Sequence, residues 1–179
     1  MRPLLLNRAG GQAGYTLVEV VIAAAIGAVV LSALTSVILT SVRATDTASS
    51  RVEASAEIRN FEFFAYDDFA GGQVQGGVSC TQQSPCSTQP LVLSGTRVSN
   101  TNPPIPGGST VSYAWDGSTF LDRTLSVSGS SIHVATDVSA FSWYVDTSGS
   151  FPTVVIQLSV TVRNYSESQN FLFYPRVNP

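Results

Sequence analysis

Glu19 stands five positions inside residues 15–39 (YTLVEVVIAAAIGAVVLSALTSVIL), a run of 25 residues otherwise apolar enough to enter a bilayer. An unpaired carboxylate there costs about 2.5–3.5 kcal/mol on insertion scales. Its chemistry is therefore that of an ion pair or of a side chain reaching back to the headgroups. Few other residues have the types and spacing to do chemistry. Cys80 and Cys86 (SCTQQSPCS) suit a small disulfide ring that pins a loop in an exported chain, with two reduced thiols as the alternative. Zinc fits them less well, because the spacing is longer than in zinc knuckles and no second Cys or His pair completes four ligands. His133, the single histidine, sits in a strand-like stretch (SIHVAT) and reads as a surface or edge-strand residue. No G-x-S-x-G elbow accompanies it. Asp67–Asp68 are metal ligands or solvent-facing acids, and the lack of a following Asp-rich loop favours solvent. GGQVQGG at 71–77 lacks the Lys and the strand-to-helix setting of a phosphate cradle. Asn164-Tyr165-Ser166 matches a glycosylation sequon, a pattern common by chance. No catalytic residue, metal, cofactor or small-molecule substrate is expected.

The elements that would position these residues follow from composition. Nine basic residues, all Arg, stand against twelve acids for a formal charge of −3, without a basic run. That argues against nucleic-acid binding by phosphate neutralisation. The apolar run exceeds the roughly 20 helical residues that span a hydrocarbon core, and it contains no Pro. Arg2 and Arg8 precede it without an acid, while Arg43, Asp46, Arg51 and Glu53 follow. By the positive-inside rule the N-terminus stays cytoplasmic and the bulk of the chain is exported. A cleavable secretory signal would have a shorter apolar core. A plain single-pass anchor explains the length and leaves Glu19 unexplained.

The stretch GYTLVEVVIAAAIGAVV resembles the class III signal of type IV prepilins and pseudopilins: a short basic leader, Gly, an aromatic residue, Thr, two aliphatics, Glu and a long apolar helix. The resemblance implies cleavage between Gly14 and Tyr15 by a prepilin peptidase on the cytoplasmic face. It also implies methylation of the new amino group on Tyr15. Glu19 becomes the fifth residue of the mature chain, where its carboxylate would pair with a subunit's terminal cation. Such a pair adds little net stability, yet losing one partner is expensive, so it sets axial register. The implied partners are the peptidase, the inner membrane and other pilin or pseudopilin subunits held through the N-terminal helix. The implied fold is a pilin-like lollipop. The run lacks the Pro that many major pilins carry in its second half, while Ala23, Ala24, Ala25, Gly27 and Ala28 allow close helix packing. A minor subunit fits this pattern.

Downstream, Ala54, Ile58, Phe61, Ala65 and Phe69 step by four, three, four and four, which is one helix face. Gly71–Gly72 marks the helix end. The remainder reads as strands. PLVLSG is a short apolar run; STVSYAWDG and STFLDRTLSVSG form a hairpin across Asp116-Gly117. SSIHVATDVSAFSWYVDTSG alternates through Phe141, Trp143 and Val145. FPTVVIQLSVTVRN sets Val154, Ile156, Leu158, Val160 and Val162 on one face, and QNFLFYPR closes the chain. The prolines of NTNPPIPGG (100–108) exclude a central strand there.

The expectation is an α+β fold, a long helix whose second half lies on an antiparallel sheet. Its parts are a leader at 1–14, a membrane and assembly helix at 15–39, an amphipathic continuation at 40–70 and a β-rich head at 71–179. The strand order with VSYAWDGSTFLDRTL and PTVVIQLSVTV is similar to J-type minor pseudopilins and W-type minor pilins, which points to a minor subunit in a priming or tip complex. A major fibre subunit, or a membrane-anchored surface-binding module, are the other readings.

Overall fold

The computed structural model describes residues 14–75, 80–95 and 109–174. Most of the expected leader (1–13), the Pro-rich stretch at 100–108 and the end of the last expected strand (Pro175, Arg176) lie outside the described residues. The chain divides into two compact units, one up to Thr45 and one from Asp46. A single helix, α1 (Leu17–Gly71, 55 residues), runs through both.

In the first unit α1 presents its apolar side chains outward, among them Val20, Ile22, Val29, Leu34 and Ile38. Its most apolar 18-residue window has a mean hydropathy of 2.5 and buries nothing within the protein, so length and composition suit a membrane span. The hydroxyls in this stretch do not stand unsatisfied. Ser32, Thr35 and Thr40 each donate to a carbonyl three or four residues earlier at 2.8 Å, and Ser36 does so at 3.1 Å. Bonding within the helix lets these polar groups tolerate an apolar solvent.

In the second unit α1 buries Ser50, Ala54, Ile58, Phe61, Ala65, Asp68 and Phe69. This includes every position of the expected helix face, and the helix ends at Gly71 as the glycine pair predicts. Two antiparallel sheets follow. The first has the order β1 (Gln73–Val74), β2 (Leu91–Ser94), β3 (Thr110–Trp115), β4 (Leu121–Leu125) and β5 (Ser131–Ala135). The second comprises β6 (Val138–Asp146), β7 (Thr153–Val162) and β8 (Tyr165–Phe173). The fold is thus α+β with an antiparallel head, as expected, except that the head has two sheets.

The division falls inside residues 130–149, a stretch read from the sequence as one alternating run. Asp137 takes a φ of 54°, Val138 N–H donates to Thr119 O at 2.9 Å, and Thr161 N–H donates to Asp137 O at 2.8 Å. The chain leaves the first sheet at Ala135 and enters the second at Val138. The apolar phase slips here, from Val134 and Val138 to Phe141 and Trp143, with a bulge between Val138 and Ala140.

The β3–β4 hairpin pairs Val111 with Leu125 and Trp115 with Leu121. On β7, Val154, Ile156, Leu158, Val160 and Val162 are all buried. β8 begins four residues before the expected QNFLFYPR stretch. Arg163, at φ 54°, turns the chain immediately and sets Val162 opposite Tyr165.

Phe61 joins both sheets. Its ring meets Tyr113 of β3 edge-on at 5.7 Å and Phe171 of β8 at 5.2 Å. Phe69 stacks on Phe173 at 4.3 Å. Burying each such ring contributes about 2 kcal/mol, and aromatic edge contacts add specificity of direction.

Candidate functional site

At the start of α1, Gly14 and Tyr15 precede the helix, and Tyr15 is 82 % exposed. Among the described residues nothing crowds Gly14 within 4 Å of where a Cβ would stand. Thr16 caps the helix: its Oγ1 accepts from Glu19 N–H at 3.3 Å, and its carbonyl accepts from the same N–H at 3.0 Å. Thr16-Leu17-Val18-Glu19 therefore has capping-box spacing, with Glu19 at the third helical position. The carboxylate lies in the first turn, where the helix dipole favours negative charge. Sequence reasoning missed this second reason for an acid at 19, although Thr-x-x-Glu before an apolar run is its signature.

Residues 10–35 match the family model for the prokaryotic N-terminal methylation motif. The segment encloses Gly14, Tyr15, Thr16 and Glu19. With the apolar helix that follows, it supports a membrane-anchored chain of the type IV pilin or pseudopilin kind. Such chains are structural subunits, and the motif implies processing by a prepilin peptidase and assembly with other pilins. No curated protein matches the chain, and no solved structure does.

The head of this prepilin-like chain holds its chemistry in structural roles. Cys80 and Cys86 are joined by a disulfide, with Cα atoms 5.4 Å apart. The ring lies along the outer edge of β6. Cys86 and Trp143 exchange two backbone hydrogen bonds of 2.9 Å, and Val145 N–H donates to Cys80 O at 3.1 Å. The indole of Trp143 donates to Gln89 O at 2.9 Å. The loop so covers a sheet edge that would otherwise expose its backbone.

The expectation for Asp67–Asp68 holds only for Asp67, which is exposed. Asp68 is 2 % exposed and faces the core. Its carboxylate accepts from Arg123 Nε and Nη2, both at 2.7 Å, and from Tyr113 OH at 2.5 Å. Arg123 also lies over the Phe64 ring, 5.4 Å from its centroid. Burial, followed by the Asp68 charge, pushes the Tyr113 phenol far above its ordinary range. Hydrogen bonding to Asp68 raises the already high pKa of Arg123, outweighing desolvation. The signal was available: position 68 shares the phase of Phe61 and Ala65, and Arg123 shares the inward row of Leu121. An Arg at a core position of a strand requires a buried acid opposite it.

His133 is exposed on β5, at the edge of the first sheet, as the sequence suggests. Its Nδ1 lies 2.5 Å from Asp122 Oδ1, and its ring stacks on Phe120 at 4.4 Å. Among the described residues no three His, Cys, Asp or Glu side chains gather closely enough to hold a metal ion.

Proposed function

We propose that this chain is a minor pilin or pseudopilin, similar to the J-type or W-type subunits, acting in a priming or tip complex of a type IV pilus or type II secretion pseudopilus. Residues 1–14 form the leader, and the peptidase cuts between Gly14 and Tyr15. The amino group exposed on Tyr15 is methylated and remains a cation. The leader lies on the cytoplasmic side of the inner membrane and the head is exported. Residues 15–39 serve as membrane span and assembly helix, and residues 40–70 carry the head. Glu19 sets register by meeting a terminal cation as subunits stack.

The observation that carries this reading is the methylation motif at residues 10–35, which encloses an exposed Gly14–Tyr15 pair just ahead of the Thr16 cap. An exposed, non-helical segment is what a peptidase requires. The disulfide suits export to an oxidising compartment. The test is to make the full chain with and without a prepilin peptidase and measure intact masses. Peptidase-dependent loss of residues 1–14 with one added methyl group is expected. An uncut N-terminus would favour a plain anchored binding module. Abundance in sheared fibres as the bulk of their mass, together with loss of the whole fibre on deletion, would favour a major subunit.

A further inference from the structure

The head protects its sheet edges by separate devices, and among the described residues one long edge is left with its backbone groups unpaired. β1 is only two residues long. β5 lies beside α1, whose Asn60 Nδ2 donates to Val134 O at 2.9 Å and whose Glu57 Oε2 accepts from Thr136 N–H at 2.8 Å. β6 is covered by the disulfide loop. β8, nine residues long, has β7 on one side. Its other edge carries no bulge, no Pro and no Lys; its one charged residue, Glu167, points inward and accepts from Ser55 Oγ of α1 at 2.7 Å.

Register shows which backbone groups are left. Trp143 and Val145 send their N–H groups to the disulfide loop, so their β7 partners Ile156 and Val154 turn toward β8. The β8 residues opposite that row are Tyr165, Glu167, Gln169, Phe171 and Phe173. By alternation Ser166, Ser168, Asn170 and Leu172 point their N–H and C=O outward. Among the described residues no backbone or side-chain group takes them.

Beside this edge runs a groove of about 490 Å³ between β8 and α1, lined by Glu62, Tyr66, Phe69, Asn170, Leu172 and Tyr174 among others. Tyr66 and Leu172 are 70 % and 59 % exposed. The groove mixes apolar side chains with Gln169 and Asn170, and Glu62 is its one charged residue.

We propose that β8 is a docking strand: it takes an extended segment of a different protein chain as a fourth strand of the β6–β8 sheet. Strand addition satisfies the outward backbone groups, and the groove selects side chains at alternate positions. Every second residue of the guest faces the exposed Tyr66 and is apolar, and one near Glu62 is basic. A second copy of this chain is a poor guest. Its other edges are short or covered, and its own β8 has Glu167 as the sole charged residue. The guest's charge complements Glu62; a second β8 would bring another acid.

The test uses the full chain in its native membrane, with the photo-crosslinker p-benzoylphenylalanine at Leu172. It is made with Ser168 unchanged, with Ser168→Pro or with Ser168→Ala. Both substitutions remove the Ser168 hydroxyl, which pairs with Ser159. Only Pro removes the outward N–H, in an edge position where Pro is tolerated. A normal Cys80–Cys86 bridge and protease resistance report folding in all three. The expected result is an adduct with one other polypeptide, mapped to a single extended segment, that falls about tenfold in the Pro variant and persists in the Ala variant. An adduct with a second copy, an adduct indifferent to Ser168→Pro, or no adduct overturns the proposal. Loss of fold in the Pro variant moves the same comparison to amide exchange of the unsubstituted chain in membranes against detergent. Protection of Ser168 and Asn170 amides only in membranes is then expected, and equal exchange overturns the proposal. Incorporation into sheared fibres, scored on the same samples, tests the assembly reading separately.

Discussion

Asp68 of α1 and Arg123 of β4 are joined by two parallel hydrogen bonds of 2.7 Å in the buried core, with Tyr113 OH completing the carboxylate's shell. This bidentate pair fixes the end of the helix against the first sheet. Planar matching makes it specific to Arg. A buried pair need not add net stability, but half a pair is costly.

The first prediction follows directly. Asp68→Asn should destabilise the head by about 3–5 kcal/mol, because Arg123 is left charged and buried. Asp68→Leu combined with Arg123→Met should recover most of that loss. Urea unfolding of the detergent-solubilised chain, followed by Trp143 fluorescence, measures both. Additive losses in the double variant would show that the two residues are not energetically coupled.

At the helix start, Glu19 has two possible uses, and one substitution separates them. Gln at the third helical position still completes a capping box but carries no charge. If charge pairing sets register, Glu19→Gln abolishes incorporation into filaments while cleavage after Gly14 continues. If capping is the whole role, Glu19→Gln assembles normally and Thr16→Ala is the damaging change, at a cost to the helix of about 1 kcal/mol. Fibre yield and intact mass are the readouts.

The disulfide loop should stabilise β6 locally. Replacing Cys80 and Cys86 with Ser should cost about 2 kcal/mol. It should also speed amide exchange at Trp143 and Val145, which donate to Cys86 and Cys80. Exchange on β7 should change much less. Uniform acceleration throughout the head would show that the loop acts globally.

Asp116 offers a test by pH. Its carboxylate accepts backbone N–H groups from Ser118, Thr119 and Phe120, with the Ser118 bond the largest influence. These hold its pKa at about 2 against an ordinary 3.8. A depressed carboxyl contributes its stabilisation above the unfolded value and loses it as pH falls through the folded one. The β3–β4 turn should therefore stay ordered at pH 5 and loosen between about 4 and 2. NMR titration of the Asp116 carboxyl carbon and the Ser118 amide measures this; a midpoint near 4 would refute it.

Much of this protein was legible residue by residue. Five buried positions on α1, the inward row of β7 and the Asp116-Gly117 hairpin all follow from periods of 3.6 and 2. The methylation motif was legible because its residues are consecutive. The clamp and the second sheet were less so. Asp68 and Arg123 lie 55 positions apart, and two acids beside a glycine pair look like a solvated helix end. The corner at Asp137 is a backbone event, marked in the sequence only by a slip of apolar phase between Val138 and Phe141.

The sequence by itself determined an apolar helix with an acid in its first turn, an amphipathic continuation and a set of half-buried strands, because each of these depends on local periodicity and local hydrogen bonding. Only the tertiary structure decided that the strands split into two sheets joined by Phe61, that Asp68 meets Arg123, and that, among the described residues, β8 keeps a long edge of unpaired backbone groups. Those outcomes depend on which distant backbone and side-chain groups become neighbours, and desolvation prices a group by its neighbours, not by its place in the chain.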